Sequence, residues 1–323
     1  MNTRRKLVLA LGAGALAAPV ASFAQQQPGK LPRVGILEPY AAADPGYRMR
    51  QALRDVGYVE GRDIAVEWRY AEGQTARLPA LAADLARLNL DAIVAIGDLA
   101  IRAVRQMTTT TPIIAGSDDL VGEGHVASLA RPGGNVTGVS ILASELNVKR
   151  LEMLKQAVPT ASRVSVLWDP ATGTFHLAAL HAAARTLRVE LKVHEVRSVE
   201  DLNRAFKAAR AWRAEALNIL ASPLLHALRQ SIIDQAALDR LPAIYQWEES
   251  VIAGGLMSYG PVRPDVYRAI GAQLGRVLKG AQPANLPVLQ PTTFELVINR
   301  KTAKAISVTI PRDFLLRADK VIE

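Results

Sequence analysis

The feature that most constrains this chain is an internal repeat. Arg33-Val34-Gly35-Ile36-Leu37-Glu38-Pro39 returns as Arg163-Val164-Ser165-Val166-Leu167-Trp168-Asp169-Pro170, and the stretch 91–98 returns as 215–222. Thr111-Pro112-Ile113-Ile114 returns as Leu241-Pro242-Ala243-Ile244, and Gly133-Gly134-Asn135-Val136 as Gly254-Gly255-Leu256-Met257. The four matches keep their order, at offsets between 121 and 130 residues. Any one of them is within the reach of chance; four in order point to two lobes built alike.

Within the first copy, short β-branched runs alternate with helical stretches. Strands are expected at 33–37, 63–70, 92–96 and 112–115, with helices at 47–56, 78–88 and 99–107. Gly57 is placed to close the first helix in the left-handed conformation. Continuous apolar runs mark strands buried on both faces, and the alternation argues for a parallel sheet between layers of helices. The fold class is therefore α/β: two similar doubly wound, Rossmann-like lobes around a hinged cleft. In such sheets ligands bind at the carboxyl ends of strands, where loops and helix N-termini converge.

The N-terminus sets the compartment. Arg4, Arg5 and Lys6 precede an apolar run from Leu7 to Val20, and Ser22-Phe23-Ala24 supplies small residues before a cut after Ala24. Residues 1–24 thus read as a secretory signal, and the mature chain is expected to be soluble in the periplasm. Thr3-Arg4-Arg5-Lys6-Leu7 resembles a twin-arginine signal, and the twin-arginine and Sec routes both stay open. The chain contains no cysteine, which excludes disulfides, thiolate nucleophiles and a lipid-bearing cysteine. Of 39 Lys and Arg against 30 acids, three positives lie in the signal, so the remaining excess is six. It is spread along helices without the basic stripe and interleaved aromatics that a nucleic-acid partner requires.

Catalytic routes are poorly furnished. There is no H-E-x-x-H, no G-x-S-x-G, no phosphate-cradling glycine loop and no paired cysteine. His125, His176, His181, His194 and His226 are scattered, and each reads as a surface or helix-end residue; neither a metal nor another cofactor is expected.

Several segments also resemble the extracytoplasmic substrate-binding proteins of ABC transporters of the tryptophan/tyrosine type. They include Gly57-Tyr58-Val59-Glu60-Gly61-Arg62, Ala130-Arg131-Pro132-Gly133-Gly134-Asn135-Val136-Thr137-Gly138, Gly254-Gly255-Leu256-Met257-Ser258-Tyr259-Gly260 and Phe294-Glu295-Leu296-Val297-Ile298-Asn299. The resemblance runs from about Leu31 to Glu323. It implies a type I periplasmic-binding fold with three crossovers between lobes, no cofactor, and hand-off of a small organic ligand to a membrane permease. Lobe one would then span 31–141 with about 263–289, and lobe two 142–262 with about 290–323. A sensory receptor that presents its ligand to a membrane signalling partner is the alternative. A monomer is the simplest state for either.

Strand-end loops nominate the ligand contacts. In lobe one they are Glu38, Tyr40, Gly97, Asp98, Leu99, Ser117 and Asp119; in lobe two, Trp168, Asp169, Ser222, Tyr245 and Trp247, with Tyr259 at a crossover. This inventory suits an amino acid. Its carboxylate would meet the helix start after Gly97, its ammonium Asp119 or Asp169, and its side chain Tyr40, Trp168 and Tyr245. Asp98 is read as a helix cap before a ligand contact. Leu120 stands where the family carries proline, and Gly97-Asp98-Leu99-Ala100 departs from its Gly-Thr/Ser-Pro-Ala pattern.

Overall fold

The computed structural model describes residues 31–40 and 46–323, and the secretory signal expected at residues 1–24 lies outside them. The first sheet holds β1 (Arg33–Glu38), β2 (Ala65–Tyr70), β3 (Ala92–Ile96), β4 (Ile113–Ser117) and β5 (Val136–Ser140), with helices α1 (Tyr47–Asp55), α2 (Leu78–Ala86) and α3 (Asp98–Met107) between them. Its order is β2-β1-β3-β4-β5 and every pairing is parallel. The reason is visible in β3, a five-residue run whose first four residues are buried, as a strand covered on both faces requires. Helix α1 closes as the sequence suggests. Gly57 takes φ +90°, Tyr58 N–H donates to Leu53 and Gly57 N–H to Arg54, a Schellman cap.

The chain then crosses into the second lobe through α4 (Ala143–Ala157). Its elements follow as β6 (Arg163–Trp168), α5 (Phe175–Leu187), β7 (Glu190–Glu195), α6 (Val199–Ala211), β8 (Ala216–Ile219), α7 (Pro223–Ala227), α8 (Arg229–Leu238), β9 (Ala243–Tyr245), α9 (Glu248–Ile252) and β10 (Met257–Pro261). Helix α10 (Arg263–Leu278) returns to the first lobe, where Val266, Ile270 and Leu274 join the core of Val34, Ile36 and Leu53. A last crossover leads to β11 (Phe294–Asn299), α11 (Arg300–Ala305), α12 (Arg312–Leu315) and β12 (Lys320–Ile322).

The second sheet is ordered β12-β11-β10-β9-β8-β6-β7. Its β7-β6-β8-β9-β10 part reproduces the order of the first sheet, which is the repeat seen in sequence. The departure is β11, which runs antiparallel to β10 because it enters from the other lobe. The crossovers lie side by side, with Ser140 N–H donating to Leu289 and Val262 N–H to Thr293. Each sheet has a hydrophobic core on either face. Among the described residues no helix is long and apolar enough to cross a membrane.

Candidate functional site

In both sheets the strand order reverses direction beside the first strand, between β1 and β3 in one lobe and between β6 and β8 in the other. Loops leaving the carboxyl ends there diverge to opposite faces and open a crevice. The first crevice is walled by Glu38, Tyr40 and the Gly97-Asp98 start of α3; the second by Trp168, Asp169 and Ser222. They face each other across the cleft. Gly97 has φ +85°, and a Cβ there would stand 3.2 Å from Pro223 of the other lobe, so the close approach and the backbone both select glycine.

Asp98 does not cap α3. The helix begins at Asp98 itself, and its carboxylate turns back to accept from Ser117 Oγ at 2.5 Å and to meet His125 Nε2 at 3.2 Å. Arg105 Nη1 lies 3.2 Å from His125 Nδ1. A guanidinium only donates, so Nδ1 is the accepting nitrogen and Nε2–H donates to Asp98. This bears on two chemistries. Ser117 and His125 both bond Asp98 and not each other, so no serine–histidine relay forms. Asp98, Glu123 and His125 also bring ligand-type atoms within 4.8 Å of one another. Metal binding through Nε2 would need that nitrogen bare and Nδ1 protonated against Arg105, while Arg102 sits 3.4 Å from Glu123. These groups fit a charge-assisted network better than a cation site.

Four nominated residues stand elsewhere than the sequence placed them. Asp119 accepts from Val121 N–H and Gly122 N–H in its own turn, both at Oδ1, and does not line the three cavities between the lobes. Trp168 is buried in the second lobe's core, its indole donating to Gly173 O at 3.0 Å. Tyr245 is buried in the opposite core with a hydroxyl that finds no partner among the described residues. Tyr259 stacks on Phe294 across β10 and β11. The aromatic rings point into cores because alternate side chains of a doubly covered strand both face helices. The histidines also differ from expectation: His125, His176 and His194 are buried, each held by a hydrogen-bond partner.

The other nine line cavities between the lobes. One of about 370 Å³ is bounded by Tyr40, Gly97, Asp98, Leu99, Asp169 and Arg197. A second of about 300 Å³, sharing Pro39, Tyr40 and Pro223, is bounded by Glu38, Arg48, His226, Glu249 and Arg263. A third of about 110 Å³ nearer the crossovers reaches Ser117, Asp118, Ser222 and Trp247. Asp169 is already engaged, accepting from Ser222 Oγ at 2.7 Å and Ala171 N–H at 2.9 Å, although burial still pushes its pKa upward.

Arg263 was missed by sequence reasoning. Its Nη1 donates to His226 Nε2 at 2.7 Å, and its guanidinium lies over Trp247 and Tyr267. It opens α10 directly after β10, so the strand-end rule applied to the crossover strand would have found it. Arg48 pairs with Glu249 from one lobe to the other, and Arg102 Nη2 donates to Ala171 O across the opposite rim at 3.1 Å. Farther in, Arg150 is fully buried, bonded to Asn147 and Tyr259 O, and burial lowers its pKa to about 10.

Comparison with known proteins locates this architecture. A family described as ABC transporter substrate binding protein matches residues 44–322. A tyrosine-binding protein of Clostridioides difficile is 26% identical over 266 residues, covering 80% of this chain and 75% of that protein. Among solved structures, a conserved domain protein from Vibrio cholerae matches with TM-score 0.84 at 24% identity, over 90% of this chain and 100% of that one. An ABC domain from Streptococcus pneumoniae in complex with L-Trp matches with TM-score 0.82 at 22% identity, over 91% and 100%. The chain belongs to the ABC transporter substrate-binding protein family, whose members are extracytoplasmic binding proteins that capture a small molecule for an ABC transporter.

Proposed function

From that membership we propose that this chain is a periplasmic receptor, exported by residues 1–24, that closes on an amino acid or a closely related solute and delivers it to its permease without altering it. The observation that carries this reading is the meeting of two switch-point crevices across one cleft, with polar groups on both walls and cavities of about 370 and 300 Å³ between them. Glu38, Tyr40, Gly97, Asp98, Leu99, Ser117, Asp169, Ser222 and Trp247 are the proposed walls. Residues 31–141 with about 263–289 and 142–262 with about 290–323 are the proposed closing bodies, acting as a monomer. The tyrosine-binding relative and the L-Trp complex support aromatic amino acids as the first ligands to try.

A thermal-shift screen of the twenty amino acids and their aromatic analogues tests the proposal. A ligand at about a hundred times its Kd stabilises the folded state by about 2.7 kcal/mol, which raises Tm measurably. An unchanged Tm across the whole set would overturn the amino-acid reading, and consumption of a bound candidate would overturn the absence of turnover.

A further inference from the structure

We infer that Glu38 and Arg263 read the two ends of a zwitterionic ligand in the second cavity, Glu38 taking the ammonium and Arg263 the carboxylate. The inference deepens the amino-acid reading and rests on it. It also moves recognition away from Asp119 and Asp169.

Most acids of the cleft already have partners. Asp169 accepts from Ser222 and Ala171, Asp98 from Ser117 and His125, and Asp119 from its own turn. Glu249 already faces two guanidiniums through Oε1, pairing with Arg48 and lying 3.5 Å from Arg263, although its buried Oε2 has no hydrogen-bond partner among the described residues. Asp118 reaches the third cavity and not the second, and its unpartnered Oδ2 is sealed from solvent. Glu38 is different. It ends β1 at the switch point, is 9% exposed, lines the second cavity, and has no side-chain hydrogen bond or ion pair among the described residues. A carboxyl buried this far without a partner is costly, and a ligand cation in the cavity would satisfy it.

The opposite charge stands in the same cavity. Glu249 is shared between Arg48 and Arg263, so two guanidiniums draw on one carboxylate. His226 accepts from Arg263 and stays uncharged, because burial and the surrounding arginines push its pKa down to about 2. Arg263 therefore keeps positive charge and donors for an incoming carboxylate, with its plane set by Trp247 and Tyr267. An α-amino acid is a small solute that offers both complements a few bonds apart.

The test measures binding of L-tyrosine and L-tryptophan to the mature chain by calorimetry. It adds the amines lacking the carboxylate (tyramine, tryptamine) and the acids lacking the ammonium (3-(4-hydroxyphenyl)propanoate, 3-indolepropanoate). Each truncation is expected to weaken binding about thirtyfold or more, the scale of one lost charge-assisted hydrogen bond. Glu38→Gln should weaken the amino acids by a similar factor and leave the deaminated acids within about threefold, while Arg263→Lys should weaken the amino acids and the acids together. If an amino acid binds and Glu38→Gln affects it no more than its deaminated acid, the assignment of Glu38 fails and the receptor reading stands. If the amines bind as well as the amino acids, the assignment of Arg263 fails. If neither amino acid binds while another from the screen does, that ligand with its own amine and acid truncations decides both assignments by the same criteria. If none binds, the amino-acid reading itself has failed.

Discussion

The two walls of the cleft are built from equivalent positions of one repeated unit, yet they have divided the work. At the end of the first strand, lobe one carries Glu38-Pro39-Tyr40, with an acid that has no partner among the described residues and a half-buried ring facing the cavities. Lobe two carries Trp168-Asp169-Pro170, with the ring in the core and the acid bonded to Ser222. At the end of the fourth strand in space, Ser117 and Asp118 line a cavity, whereas Tyr245 is buried in a core. The repeat conserves where loops leave the sheet, not what their side chains do. At the end of the first strand, lobe two has tied its acid to Ser222 while lobe one leaves Glu38 without a hydrogen bond among the described residues, and the matching positive charge comes from α10, which lies outside the four repeat matches.

The sharpest way to break this contrast is to remove one strand-end ring from each lobe. Tyr245→Ala empties a core position and should cost about 3–5 kcal/mol of stability in urea denaturation. Tyr40→Ala should cost less than about 1 kcal/mol and weaken ligand binding about tenfold. Equal stability losses would show that the two walls are alike after all.

A second test uses pH. Burial raises the Glu38 pKa to about 7, against the opposing charge of Arg263. The folded state therefore holds a proton on Glu38 that the unfolded chain releases near pH 4.5, so this group's contribution is present at low pH and lost as pH rises toward 7. Arg263 and Tyr267 face it from α10, Tyr70 from β2 and Arg48 from α1, with Glu249, His226 and Arg229 across the cavity. Asp118, raised to about 8 by burial and Asp98, adds a slope of the same sign. The informative quantity is thus the difference between proteins. Relative to the native chain, Glu38→Gln should gain on the order of 2–3 kcal/mol between pH 5 and pH 8 without ligand. A constant difference across that range would place Glu38 in contact with water or with a fixed partner.

The smallest effect is optical. Trp247 lines the third cavity and Trp168 does not. Ligand-induced fluorescence change should survive Trp168→Phe nearly intact and fall by more than about half in Trp247→Phe. The reverse result would return recognition to the end of β6.

Much of this was legible in advance, for particular reasons. The β3 run Ala92–Ile96 and the Gly57 cap were readable because each depends on a few consecutive residues. Nine of the thirteen nominated contacts line cavities because strand ends in a doubly wound sheet point one way, whatever the side chains. Trp168 and Tyr245 were misjudged because position in a strand-end loop does not tell which face of the sheet a ring will take. Asp119 and Asp169 were offered to a ligand because their turn and serine partners depend on loop geometry that residue order does not display.

By itself, then, the amino-acid sequence determined two α/β lobes of one pattern and a cleft at their strand ends, since periodicity and repetition act through the backbone. Which acid there is left without a partner, and which arginine arrives beside it, was decided only by tertiary structure. Glu38 and Arg263 lie 225 residues apart, and only the return of α10 to the first lobe brings them to one cavity. Freedom from internal hydrogen bonds is a property of the folded neighbourhood and not of the residue.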